Sequence, residues 1–246
     1  MTEPQFHDPD LTRFYDPDNP WDTDKDYCLA LASGASSVLD LGCGTGELAT
    51  VLARSRRVAG VEPAAAMLAH ARRRQGADKV HWVEADACTV RLGETFDLVV
   101  MTGHAFQCLL TEADQWALCA TIAAHLAPGG TFIFDSRNPL VEEWRNWTPD
   151  KARWTLSVPD LGEFEAWNDV RFDPATQIAA YDTVYRDRKL GQSWQATSRI
   201  LFSQQAQIAA AIASAGLQVH RWMGDWTGGS MTAISPEIIP VGGLAD

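Results

Sequence analysis

Between residues 37 and 135 the chain repeats one pattern, a short run of consecutive apolar residues followed by a segment whose apolar positions recur at helical spacing. Runs at 38–41, 58–61, 80–83, 96–100 and 131–134 predict strands, and 47–54, 64–74 and 112–127 predict helices. Pro63 precedes the second helix. The third opens with a capping box, Thr111 with Asp114, and closes on Pro128-Gly129-Gly130. Apolar runs without alternation, linked by helices, imply a parallel sheet buried on both faces and an α/β fold.

After Asp135 the period changes. Residues 153–202 alternate as strands should, with turn chemistry at 159–162, 173–176 and 189–191, which predicts an inserted antiparallel β meander. One face is expected to carry Phe164, Val170, Phe172, Ile178, Val184, Ile200 and Phe202. The other is expected to carry Glu165, Trp167, Arg171, Tyr181, Tyr185 and Arg199. A helix at 204–215, N-capped by Ser203 and stopped by Gly216, then leads into strands at 217–222 and 238–241. The first 26 residues hold Pro4, Pro9, Pro17 and Pro20 and predict an irregular arm anchored by Phe14, Tyr15 and Trp21, ahead of a short helix at 26–32. The expected organisation is an arm and helix at 1–36, a core formed by 37–139 and 203–246, and an insert at 140–202.

Composition adds constraints. With 246 residues, 46% hydrophobic and 21% charged, the chain has enough apolar material for a buried core. A net charge of −12 repels phosphate backbones and anionic lipid, so neither nucleic acid nor membrane is expected as a partner. The basic runs at 54–57 and 72–74 fall at predicted helix ends, where cations complement the helix dipole. Five cysteines without a C-x-x-C pair, and a beginning without a signal-like apolar stretch, lead to the expectation of a reduced, cytoplasmic protein.

Chemistry concentrates at Asp40-x-Gly42-x-Gly44-x-Gly46, where a predicted strand runs into a glycine-rich turn that opens a helix, a place where ligands approach the backbone. The dinucleotide fingerprint fails, because Glu47 stands where its third glycine belongs. A carboxylate before the turn suits a cationic ligand and repels a pyrophosphate. The stretch resembles the first motif of class I S-adenosylmethionine-dependent methyltransferases. Glu62 at the end of the second strand, Asp86 after the third, the strand 96–101 and Leu126-Ala127-Pro128-Gly129-Gly130 match later motifs of that family in order. Taken singly, each has a plainer role: Asp40 as a helix cap, Glu62 as a surface charge, the glycines as a tight turn.

The resemblance implies a doubly wound seven-stranded sheet in the order 3-2-1-4-5-7-6, its last strand antiparallel. It implies S-adenosyl-L-methionine as cofactor and S-adenosyl-L-homocysteine as product, held by Asp40, Gly42, Cys43, Gly44, Glu62, Pro63, Met67, Asp86, Ala87, Met101, Thr102 and Tyr27. An antiparallel insert after the fifth strand is similar to the small-molecule and amine N-methyltransferase branch. The implied reaction is methyl transfer to a small molecule, with an amine nitrogen favoured over oxygen; an O-methyltransferase of a small metabolite and a non-catalytic binding protein of the same fold stay open. His104 and Tyr15 are the catalytic candidates, the histidine as proton acceptor or as a loop residue bonded to backbone. Trp21, Trp167, Arg171, Tyr185, Arg199, Asp225 and Trp226 are the substrate candidates, although sheet aromatics also serve as core and Asp225 as a solvated loop carboxylate. The six histidines lack metal-ligand spacing, so no metal is expected, and either a monomer or a homodimer is allowed.

Overall fold

A computed structural model describes residues 4–245, so the first three residues of the predicted arm and Asp246 of the predicted core lie outside the described residues. The arm is helical where irregular chain was expected: α1 (Pro4–His7), α2 (Pro9–Asp18) and α3 (Thr23–Leu31). Its prolines and aspartates explain the difference. Asp8 caps α2 with Pro9 in the first turn, Pro17 comes only in the last turn, and Asp22 caps α3.

The α/β pattern follows as β1 (Ser37–Leu41), α4 (Glu47–Leu52), β2 (Arg57–Glu62), α5 (Ala65–Ala71), β3 (Val80–Glu84), β4 (Phe96–Met101), α6 (Glu112–His125), β5 (Leu126–Phe134) and the short β6 (Ser136–Arg137). Four antiparallel strands come next, β7 (Arg153–Val158), β8 (Gly162–Asp173), β9 (Ile178–Asp187) and β10 (Ser193–Leu201), before α7 (Gln205–Ser214), β11 (Leu217–Met223) and β12 (Glu237–Leu244). The main sheet runs β3-β2-β1-β4-β5-β12-β11, with β12 antiparallel to both neighbours, the order expected. Apolar clusters cover both of its faces, one centred on Leu39, Phe106, Phe132 and Phe134, the other on Val38, Leu52, Leu98 and Ile133. Gln204 caps α7 together with Gln207 in a capping box, displacing the predicted cap Ser203, whose hydroxyl instead accepts from Gln115 at 2.7 Å.

The second sheet, β10-β9-β8-β7, shows one phase error in the sequence reading. Ala179, Tyr181, Thr183 and Tyr185 oppose Phe172, Val170, Asn168 and Ala166 on the packed face, so Tyr181 and Tyr185 turn inward while Ile178 and Val184 lie on the other side. The β8–β9 turn, with Gln177 at φ 59°, sets this register, and a one-residue offset inverts a whole strand.

Helix α2 joins the two sheets. Phe14 is fully buried, stacks on Tyr185 with centroids 4.3 Å apart and meets Phe164 edge-on at 5.0 Å. Phe14→Ala is expected to lower stability by about 3 kcal/mol, read by urea denaturation, and to expose α2 to limited proteolysis.

A candidate active site between the two sheets

The carboxyl ends of β1, β4 and β5 open into a cavity of about 740 Å³, roofed by the second sheet and closed on one side by α2. At its floor, the amides of Gly42 and Cys43 donate to the Val61 carbonyl at 2.8 and 3.0 Å, which fastens the glycine-rich turn to β2. Gly44 has φ 55°, and a Cβ there would stand 3.5 Å from the Tyr15 hydroxyl. At Gly46, φ is 75° and a Cβ would come within 2.4 Å of Trp82, so only glycine fits.

Glu62, buried at the end of β2, accepts the Gly44 amide at 3.1 Å and the Ala64 amide at 3.0 Å, one on each oxygen. Burial raises its pKa despite these bonds. Asp40 is 3% exposed and lines the cavity without a hydrogen-bond partner among the described residues. Burial and then the Glu62 charge push its carboxyl up to about 7 against the pull of Lys25.

Two carboxylates clasp α2 over this floor. Asp16 accepts the Thr45 hydroxyl at 2.5 Å and pairs with Arg74 and with His70 at 3.1 Å, binding the helix to the glycine-rich turn and to α5. Asp18 accepts Trp154 Nε1 and the Tyr185 hydroxyl, each at 2.6 Å, binding the same helix to the roof. Tyr15 lies between them in the cavity wall, and burial followed by the Glu62 charge raises its phenol.

His104, after β4, occupies the left-handed region at φ 59°, uncommon for a residue with a side chain. Its amide donates to Asp135 Oδ1 at 3.0 Å, and its Nε2 lies 3.0 Å from Glu237 Oε1 and 3.6 Å from Asp135 Oδ2. Burial, then Arg137, pushes the imidazole down to about 4, while burial pushes Asp135 up to about 6 and Glu237 up to about 7. The imidazole is therefore neutral near pH 7, and the 3.0 Å contact holds one proton between His104 and Glu237. Glu237 Oε2 is buried without a partner among the described residues. The three donor atoms lie within 4.8 Å of one another, a cluster that positions 104, 135 and 237 conceal in the sequence.

Of the sequence candidates, Tyr15, Asp40, Gly42, Cys43, Thr102, His104, Tyr185 and Trp226 line the cavity together. Glu62 and Met67 flank the Gly44 turn, Met101 packs under Gly42, and Asp86 receives the Cys88 amide at 2.8 Å beyond the third strand. Tyr27 packs on Trp226, centroids 5.9 Å apart. Five substrate candidates do not line this cavity. Trp21 donates to Asp26 at 2.7 Å within its own segment. Trp167 lies under the Arg153 guanidinium, Arg171 pairs with Asp182 at 3.3 Å and Arg199 is exposed; all three are on the outer face, because alternation along β8 and β10 turns them from the cavity. Asp225 accepts Thr227 and Gly229 amides inside its loop, which spends its charge locally. Sequence reasoning missed Asp135, although a carboxylate closing a parallel strand was a legible signal. It missed Glu237, Asn168 and Ser198, for which the sequence carries none.

The model of the family described as "Methyltransferase domain" matches residues 38–130. A dTDP-3-amino-3,4,6-trideoxy-alpha-D-glucopyranose N,N-dimethyltransferase of Streptomyces venezuelae is 32% identical over 193 residues, 76% of this chain and 77% of that protein. A cypemycin N-terminal methyltransferase from a Streptomyces species is 35% identical over 104 residues, 42% of each chain. Among solved structures, an S-adenosylmethionine-dependent methyltransferase of Clostridium acetobutylicum superposes with a TM-score of 0.78 at 16% identity, covering 96% of this chain and 98% of that one, and so shares the fold.

The Asp40 shift has a sign that stability measurements read. A carboxyl raised from 3.8 to about 7 on folding favours the folded state below the unfolded pKa and loses that contribution as pH rises through 7. Asp40→Asn is expected to be more stable than the parent at pH 8 by on the order of 2 kcal/mol, with the difference gone at pH 4, in urea titrations at both values.

Proposed function

This chain belongs to the S-adenosylmethionine-dependent methyltransferases, and from that membership we propose that it methylates the amine nitrogen of a small molecule, the reaction best served by its half-buried histidine–carboxylate cluster. The residues present fit the cofactor. Asp40, held in the cavity without a hydrogen-bond partner, suits a cationic ligand, and Glu62, with an amide on each oxygen and lone pairs to spare, suits a diol. Gly44, at φ 55°, holds a left-handed backbone that a side chain would strain, and it keeps the turn in contact with Tyr15. When bound, the cofactor supplies a methyl group already activated by its sulfonium.

What the protein adds is position, dryness and a route for a proton. An alkyl amine is protonated at neutral pH and has no lone pair for attack. Asp135 and Glu237 attract the ammonium, and the neutral His104 with Glu237 takes its proton, the glutamate being the stronger base of the two. Tyr15, its phenol kept protonated by burial, offers a hydrogen-bond donor in the same wall. Arg137, paired with Glu143 at 3.3 Å and lying over Trp147, closes the cluster on its far side. The names of the two relatives point to two acceptor classes, a nucleotide-linked amino sugar and the amino terminus of a peptide.

Calorimetric titration with S-adenosylhomocysteine tests the cofactor side. Glu62→Ala is expected to weaken binding about 100-fold, the worth of two charge-assisted hydrogen bonds.

The proton route makes a kinetic prediction. Turnover of an accepted amine should rise with pH through about 7 as Glu237 ionises. Glu237→Gln should remove that limb and lower kcat roughly 100-fold while leaving S-adenosylhomocysteine affinity intact, and His104→Gln should lower kcat by a similar factor. An unchanged pH profile in both variants would exclude the cluster from the reaction.

A further inference from the structure

Resting on the amine reading above, we infer that the methyl acceptor is a phosphate-free amine with a neutral, hydrogen-bonding body, and that a nucleotide-linked amine is not its substrate. The charge of the cavity carries the inference. Its described lining holds nine carboxylates against two full-time cations, Lys25 and Arg137. Both cations are committed. Lys25 Nζ lies 2.5 Å from Glu47 and donates to the carbonyls of Asn19 and Pro20 at 3.1 Å. Arg137 pairs with Glu143, donates to Gln107 Oε1 at 3.1 Å and lies over the Trp147 ring. A diphosphate linkage brings at least two negative charges and needs cations or clustered amides to receive them. The roof is a β-sheet and presents no helix N-terminus; the start of α3, which does line the cavity, is capped by the Asp22 carboxylate and carries Asp24, which has no cationic partner among the described residues. An anionic acceptor would be repelled, and a cationic one attracted, before any specific contact forms.

The roof explains the neutral half of the inference. Three polar residues of β8, β9 and β10 face the cavity. Asn168 Oδ1 accepts the Thr183 hydroxyl at 2.9 Å, which leaves its amide hydrogens directed elsewhere. Ser198 is 2% exposed, and its buried hydroxyl has no partner among the described residues. A buried hydroxyl without a partner costs free energy that an uncharged hydroxyl or amide of a ligand would recover. Free amino sugars and peptide amines share this chemistry, a cationic nitrogen on a neutral polar body.

The test has two arms on the full-length protein. Thymidine diphosphate is titrated calorimetrically into protein saturated with S-adenosylhomocysteine. In parallel, release of S-adenosylhomocysteine is followed by mass spectrometry with free amino sugars, with peptide α-amines and with thymidine-diphosphate-linked amino sugars. The expected result is no binding of thymidine diphosphate and turnover confined to one of the two phosphate-free groups, which also separates sugar from peptide. Binding of thymidine diphosphate, or turnover of the nucleotide-linked sugars, would overturn the inference and leave the amine reading standing. Protein that binds S-adenosylhomocysteine and methylates none of the three groups would overturn both. With the accepted amine, Ser198→Ala is expected to raise KM several-fold at unchanged kcat; an unchanged KM would remove the roof from acceptor recognition.

Discussion

Containing negative charge in a partly buried cavity is the constraint on which this site is built. Like charges brought out of water cannot all stay ionised without partners. The protein meets the constraint in three ways. It pairs some carboxylates with cations, Asp16 with Arg74 and Glu47 with Lys25. It gives others neutral donors, Asp18 receiving Trp154 and Tyr185. Three others, Asp40, Asp135 and Glu237, are left with pKa values near neutrality, so a proton or a bound cation completes them. A bound cation would therefore complete the electrostatics of the cavity.

Helix α2 shows how that charge also shapes the fold. One short helix carries Phe14 into the roof core, Tyr15 into the cavity, Asp16 onto the glycine-rich turn and Asp18 onto the roof. Helix α1 also touches both β10 and α5, and the loop after β4 packs against β10. Helix α2 is an element tied to both floor and roof by hydrogen bonds from opposite sides, and so helps to set the shape of the cavity. Such an element belongs to the less stable part of a structure, because its attachment rests on a few contacts and one aromatic anchor.

Much of the fold was legible because the sheet's period is local. The apolar runs at 38–41, 58–61 and 96–100 could pack only as buried strands, and the glycine spacing after Asp40 excluded a dinucleotide turn on a single residue, Glu47. The arm was misread because prolines were taken as breakers, whereas Pro9 initiates α2 and Pro17 falls in its last turn. The roof was misread by one residue along β9, since alternation gives two faces without saying which is buried until the turn fixes the register.

The sequence by itself determined what depends on near neighbours along the chain: the α/β class, the glycine-rich turn, the acidic residues at strand ends, and the excess of negative charge. Tertiary structure alone decided what depends on groups meeting across 30 to 170 positions, because no local pattern records such a meeting. Glu237 reaches His104 across 133 residues, and Asp18 reaches Tyr185 across 167. Burial has the same origin. Asp40 and Glu237 are ordinary carboxylates in the sequence; they acquire pKa values near 7 only when both sheets and α2 close around them and remove the water that would have kept them charged.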